Sequence, residues 1–123
     1  MKYSKGKVSD IQIAYIGGGS RGWAWTFMTD LALEDEISGT IRLYDIDRKA
    51  AQTNEVIGNH LMNRPEAKGD WKFEVKDSLK EVLTGCDFAV ISILPGTLMR
   101  WLPMYICRSA WYYQSVGDTA GQA

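Results

Sequence analysis

The sequence lacks most of what would place it in a specialised class. It has two cysteines, Cys86 and Cys107, too few for a disulfide framework. Its one histidine, His60, has no Cys, Asp or Glu at ligand spacing and reads as a solvated side chain rather than a metal ligand. No Ser/His/Asp set, carboxylate pair or metal box is present, so no catalytic or metal-binding residue is assigned. No apolar run reaches the roughly 18 residues a spanning helix needs, and Met1 to Asp10 carries no signal-peptide core. These absences point to a soluble, cytoplasmic chain with no membrane partner. Fourteen basic against fifteen acidic residues give a net charge of −1, which offers no field for nucleic acid.

What is there fits one small domain or part of a larger one: 123 residues, 46% apolar and 24% charged. Residues 1–10 read as a flexible polar lead-in. Ile11 to Ile16 is a short β-branched run cut off by three glycines, a buried-strand signal. Trp23, Phe27 and Leu31 then recur at helical spacing up to Leu33. Further strands are expected at Ile41–Tyr44, Trp71–Val75 and Phe88–Ile93. Helices are expected from Arg48 to Met62, with Ala50, Ala51, Val56, Ile57 and Leu61 on the better face, and from the Asp77-Ser78 cap to Leu83. Strands alternating with helices imply a parallel sheet with right-handed crossovers. The fold class is α/β, a Rossmann-like doubly wound sheet, here partial with about four to five strands in the order 3-2-1-4.

Gly17-Gly18-Gly19-Ser20-Arg21-Gly22 satisfies G-x-G-x-x-G directly after a strand and at the opening of a helix. Gly17 would permit the tight turn, Gly19 the approach of a pyrophosphate, and Gly22 close helix–strand packing, with helix N–H groups facing the anion. A merely structural tight turn is the competing reading. Asp45 ends the second strand, somewhat farther from the loop than the usual spacing of roughly 20 residues. A carboxylate there accepts ribose hydroxyls and repels a 2′-phosphate, favouring NAD over NADP. Asp47 reads instead as a helix N-cap, Arg42 as a solvated charge, and Cys86 as a small buried residue. Arg21 reaches the pyrophosphate or faces solvent. The candidate cofactor contacts are thus Gly17, Gly18, Gly19, Ser20, Arg21, Gly22 and Asp45, with Leu94 and Pro95 beyond the last strand.

Several blocks together resemble the start of a family 4 glycoside hydrolase: Ile13 to Ser20, Leu43-Tyr44-Asp45, Asn54 to His60, Ile91 to Gly96, and Gln114 to Thr119. Arg21-Gly22-Trp23-Ala24 departs from the Thr-Tyr-Thr-Pro of phospho-glycosidases and is similar to the α-galacturonidase branch, which acts on unphosphorylated uronic acid sugars. The resemblance implies an oxidation–elimination hydrolysis. NAD oxidises the sugar at C3, a base removes the C2 proton, the glycosidic bond eliminates, water adds, and the hydride returns. A divalent metal, usually Mn²⁺, polarises the C3 oxygen in the intact family. The family's metal-binding Cys and His and its catalytic Tyr lie downstream of residue 123, so this chain would carry the NAD-binding half alone, at residues 11–96, without hydrolysis. The alternative is a stand-alone NAD-binding or redox-sensing module. A small dehydrogenase is disfavoured because no Tyr-x-x-x-Lys relay occurs. A homo-oligomer is expected, because the apolar fourth strand would lie at an edge with residues 98–116 packed across a subunit contact.

Residues 97–123 diverge from that pattern between Thr97 and Gln114. Back-translation explains the divergence. One G placed after the codon of Leu98 turns ATG-AGA-TGG into codons for Asp-Glu-Met, as in relatives. The same frame converts Pro103 to Ala110 into Asp-Val-His-Leu-Pro-Glu-Arg, the family string. A second shift before Gln114 restores the frame, and a third follows near Gln122. The expectation is a coding sequence altered by small frameshifts and truncated soon afterwards. Sequencing the source DNA checks this: an undamaged frame encoding Asp-Glu-Met here would sink it.

Overall fold

The computed structural model describes residues 1–93. Eight elements follow in order: β1 (Lys2–Ser4), β2 (Lys7–Ile16), α1 (Trp23–Leu33), β3 (Ile37–Tyr44), α2 (Arg48–Met62), β4 (Asp70–Val75), α3 (Leu79–Leu83) and β5 (Phe88–Ile91). The parallel strands lie in the order β4-β3-β2-β5, the 3-2-1-4 arrangement expected of a doubly wound sheet.

Residues 1–10, read from sequence as a flexible lead-in, instead carry a hairpin. Lys5 and Gly6 sit at φ 46° and 83°, the positive pair that a two-residue turn between right-twisted strands requires. β1 pairs antiparallel with the first part of β2, on the edge that β5 occupies farther along. Its residues are exposed and polar, so no hydrophobic alternation announces it; the ladder itself holds it.

The core lies between one sheet face and helices α1 and α2. Ile13, Tyr15, Ile41, Leu43, Trp71 and Phe73 meet Ala24, Met28, Leu31 and Ala51 there. The helices bury only part of the faces the spacing suggested: Leu31 and Ala51 pack inward as expected, whereas Trp23 and Val56 do not. α1 packs through Ala24, Met28, Leu31 and Ala32, leaving Trp23 67% exposed. α2 packs through Ala51, Asn54 and Gly58, leaving Val56 68% exposed. The reason is distance. A Cβ on Gly58 would lie 2.6 Å from the Phe73 ring, so α2 approaches β4 more closely than a branched side chain allows.

On the opposite sheet face α3 touches β2 and β3. Arg42, expected to be solvated, is half-buried there, donating to the Thr84 carbonyl and, at 2.9 Å, to Gln12 Oε1. The guanidinium thus ties β2, β3 and the end of α3 together. Cys86 is free and half-buried rather than fully buried.

The two outer strands differ. β4 bears Lys72 and Glu74 and is followed by Lys76, and the two ammonium groups hold the Glu74 carboxyl below its ordinary range through hydrogen bonds, Lys72 foremost. Its Phe73 N–H and C=O are met by the Asn59 side chain at 3.0 and 2.9 Å, and its Val75 N–H by Glu55 at 3.1 Å. Side chains of α2 therefore close that edge. β5 pairs only with β2 among the described residues, and Phe88, Ile91 and Ile93 are all more than half exposed. The expected packing of residues 98–116 lies outside the described residues. An apolar strip of this kind predicts self-association, visible by light scattering as a mass above the monomer that falls on dilution. A monomer at every concentration would mean the strip is covered within the chain.

Candidate functional site

The glycine loop joins β2 to α1 at the carboxyl ends of the parallel strands, where open α/β sheets bind ligands. Gly17 has φ 93°, which an L side chain would strain, and this turns the chain sharply off β2. Its N–H and that of Gly18 both donate to the Tyr44 carbonyl at 2.8 and 3.0 Å. The Gly19 N–H donates to Asp45 Oδ2 at 2.8 Å, and the Ser20 N–H closes a turn on the Gly17 carbonyl. Each loop amide from Gly17 to Ser20 is therefore engaged within the protein.

Gly17 makes the tight turn that the motif assigned to it, and two further glycines are constrained by packing within the protein. A Cβ on Gly18 would meet Leu43 Cβ at 2.9 Å, and one on Gly19 would meet Ala50 Cβ at 2.8 Å and Asp45 Oδ2 at 2.9 Å. Both are required by contact with β3 and the start of α2, before any ligand is considered. Gly22 was expected to allow close helix–strand packing. A Cβ there would face open space, so close packing does not require glycine at this position. Gly22 caps α1 with no side-chain hydrogen bond, leaving the first-turn amides without a side-chain cap. Arg21 is exposed beside them.

Asp45 stands where the sequence placed it, one residue past β3. Its Oδ1 accepts the Asp47 N–H at 2.9 Å while Oδ2 holds Gly19, so both oxygens are fixed by backbone. Asp47 is the N-cap of α2, accepting from Ala50 N at 3.1 Å as expected. Ile46, between the two acids, is 97% exposed. Asn54 went unassigned from sequence. It is buried beneath the loop, donating to the carbonyls of Gly18 at 2.7 Å and Ser20 at 2.9 Å, and accepting from Trp25 Nε1 at 2.8 Å. Only its place in the Asn54–His60 block hinted at a role. Leu94 and Pro95 lie outside the described residues. Among the described residues no three His, Cys, Asp or Glu side chains gather as metal ligands, and no helix is long and apolar enough to cross a membrane.

The sequence profile of the family 4 glycosyl hydrolases matches residues 12–123. The chain belongs to that family. An α-galacturonidase of Lachnoclostridium phytofermentans is 57% identical over 98% of this chain, and one of Bacillus subtilis is 48% identical over 93%. A Bacillus subtilis crystal structure described as a glucosidase, lplD, superposes with a TM-score of 0.70 at 47% identity, covering 90% of this chain. The family 4 chain described here spans 26% of the length of the Lachnoclostridium relative and 25% of the solved Bacillus chain.

The packing separates the loop glycines experimentally. Gly19→Ala forces Ala50 and Asp45 apart and is expected to cost about 1–3 kcal/mol. Gly22→Ala, with open space and φ −81°, is expected to lie within about 0.5 kcal/mol of the parent. Urea denaturation of both variants measures the contrast; equal losses would contradict it.

Proposed function

We propose that residues 11–96 form the NAD-binding part of a family 4 glycosidase acting on α-linked galacturonic acid. The observation that carries this reading is the glycine loop at the carboxyl ends of the parallel strands, with the Asp45 carboxylate 2.8 Å from the loop amide of Gly19. The sugar class rests on the α-galacturonidase relatives.

The residues present fit a dinucleotide. Gly18 and Gly19 leave no room for a side chain and Gly17 holds a φ of 93°, while the exposed start of α1 after Ser20 offers backbone donors to a diphosphate. Asp45, fixed by two backbone donors, retains lone pairs for ribose hydroxyls. Ile46 presents apolar surface beside it for an adenine ring. Bound NAD would supply the hydride acceptor for sugar oxidation. The described residues do not fit Mn²⁺, since no ligand cluster occurs among them, and no metal step is assigned to them. We also propose that the chain, spanning 26% of the length of its Lachnoclostridium relative and with no ligand cluster among its described residues, hydrolyses no galacturonide by itself, with or without NAD and Mn²⁺. Turnover that Asp45→Ala abolishes would contradict that expectation.

Titration calorimetry tests the cofactor assignment. NAD is expected to bind at least about tenfold more tightly than NADP, because a fixed carboxylate opposes the 2′-phosphate. Ile46→Ser is expected to weaken NAD with the melting temperature unchanged, the residue being exposed. Tighter binding of NADP would refute the role of Asp45.

A further inference from the structure

Asn54 is the one buried polar side chain among the described residues, at 2% exposure. Both its amide protons are used on the loop, at the Gly18 and Ser20 carbonyls, and its oxygen is held by the Trp25 indole N–H. The indole fixes which end of the side-chain amide is oxygen, so the NH₂ group must face the loop.

The geometry of the peptide bond gives this clamp its consequence. In a trans peptide the C=O and the following N–H point in opposite directions. Drawing the Gly18 carbonyl inward toward α2 turns the Gly19 N–H the other way, where it meets Asp45 Oδ2 at 2.8 Å. Drawing the Ser20 carbonyl inward turns the Arg21 N–H away from Asn54, at the first exposed position of the loop. One side chain thus sets two alternate peptides, and with them the first outward-facing donor before α1.

We infer that Asn54, oriented by Trp25, is a positioning residue that aims the loop peptides for the diphosphate of the dinucleotide. The inference rests on the NAD reading above. Asn54 touches no ligand; it acts through the peptides it holds. Each variant removes one part of the device. Asn54→Asp keeps shape and the acceptor for Trp25 but sets carboxylate oxygens against two carbonyls. Trp25→Phe, at a position 44% exposed, removes the indole donor and leaves the amide free to flip.

The test uses the full chain, ¹⁵N-labelled, with calorimetric titration of NAD and a melting curve for each variant. In both variants the amide resonances of Gly19 and Arg21 are expected to shift in the absence of ligand. NAD affinity is expected to fall by at least about threefold in Trp25→Phe and about tenfold in Asn54→Asp. A purely structural role would lower the melting temperature without moving the Arg21 amide or the affinity of the folded Trp25→Phe chain, and would overturn the inference. Should Asn54→Asp not fold, Trp25→Phe decides alone. If the parent chain binds no NAD while the two amides still shift, the dinucleotide reading fails and the loop clamp stands. Unmoved amides overturn the clamp whatever NAD does.

Discussion

A buried carbonyl must find a donor, and the glycine loop turns two of them, Gly18 and Ser20, into the protein. The loop's own amides from Gly17 to Ser20 are already engaged elsewhere. One asparagine from α2 meets both, and most of the loop's shape follows. With the carbonyls turned toward α2, the Gly19 N–H reaches Asp45, while the N–H groups of Gly17 and Gly18 share the Tyr44 carbonyl at the end of β3. The loop is consequently part of the β3–α2 connection as much as of β2–α1. A displacement of α2 would move it directly, because a satisfied network of this kind rigidifies what it joins.

The same helix explains where the sheet ends. Along α2, Asn54 faces the loop, Gly58 admits the Phe73 ring, and Glu55 and Asn59 bond the outer backbone groups of β4. Polar side chains one helical turn apart, Glu55 and Asn59, substitute for a further strand. This requires close approach, which Ala51 and Gly58 provide and which larger residues would prevent. The exposed Val56 follows from the same choice of face: orienting the small and amide-bearing residues inward leaves the β-branched one outside.

Much of the architecture was legible in the sequence because strands and the loop announce themselves locally. The apolar run before three glycines, the Asp47 cap and the order of the parallel strands all depend on neighbouring residues or on a general rule of handedness. Helix faces were less legible. Hydropathy assigns Val56 and Trp23 inward and passes over Asn54 and Gly58, whose burial comes from small volume or paired polarity rather than apolar character. The roles of individual loop glycines were hidden for a related reason. Gly18 is constrained by Leu43 and Gly19 by Ala50 and Asp45, contacts that the spacing of a motif does not contain. The β1 hairpin was missed because its stability lies in ladder hydrogen bonds to β2 and not in any buried face.

In the proposed site Asp45 serves the protein before it serves a ligand. Each of its oxygens already accepts one backbone N–H, from Gly19 and from Asp47, and each has a further lone pair. Ribose hydroxyls can therefore join without displacing the loop. The two bonds also fix the charge in space, so a 2′-phosphate cannot be accommodated by swinging the carboxylate aside. In the proposed reading, selectivity and loop geometry are coupled through one side chain. In the proposed site even Asp45→Asn, which removes the charge, leaves one oxygen for two backbone donors, so relaxing the cofactor preference also frees the Gly19 or the Asp47 amide.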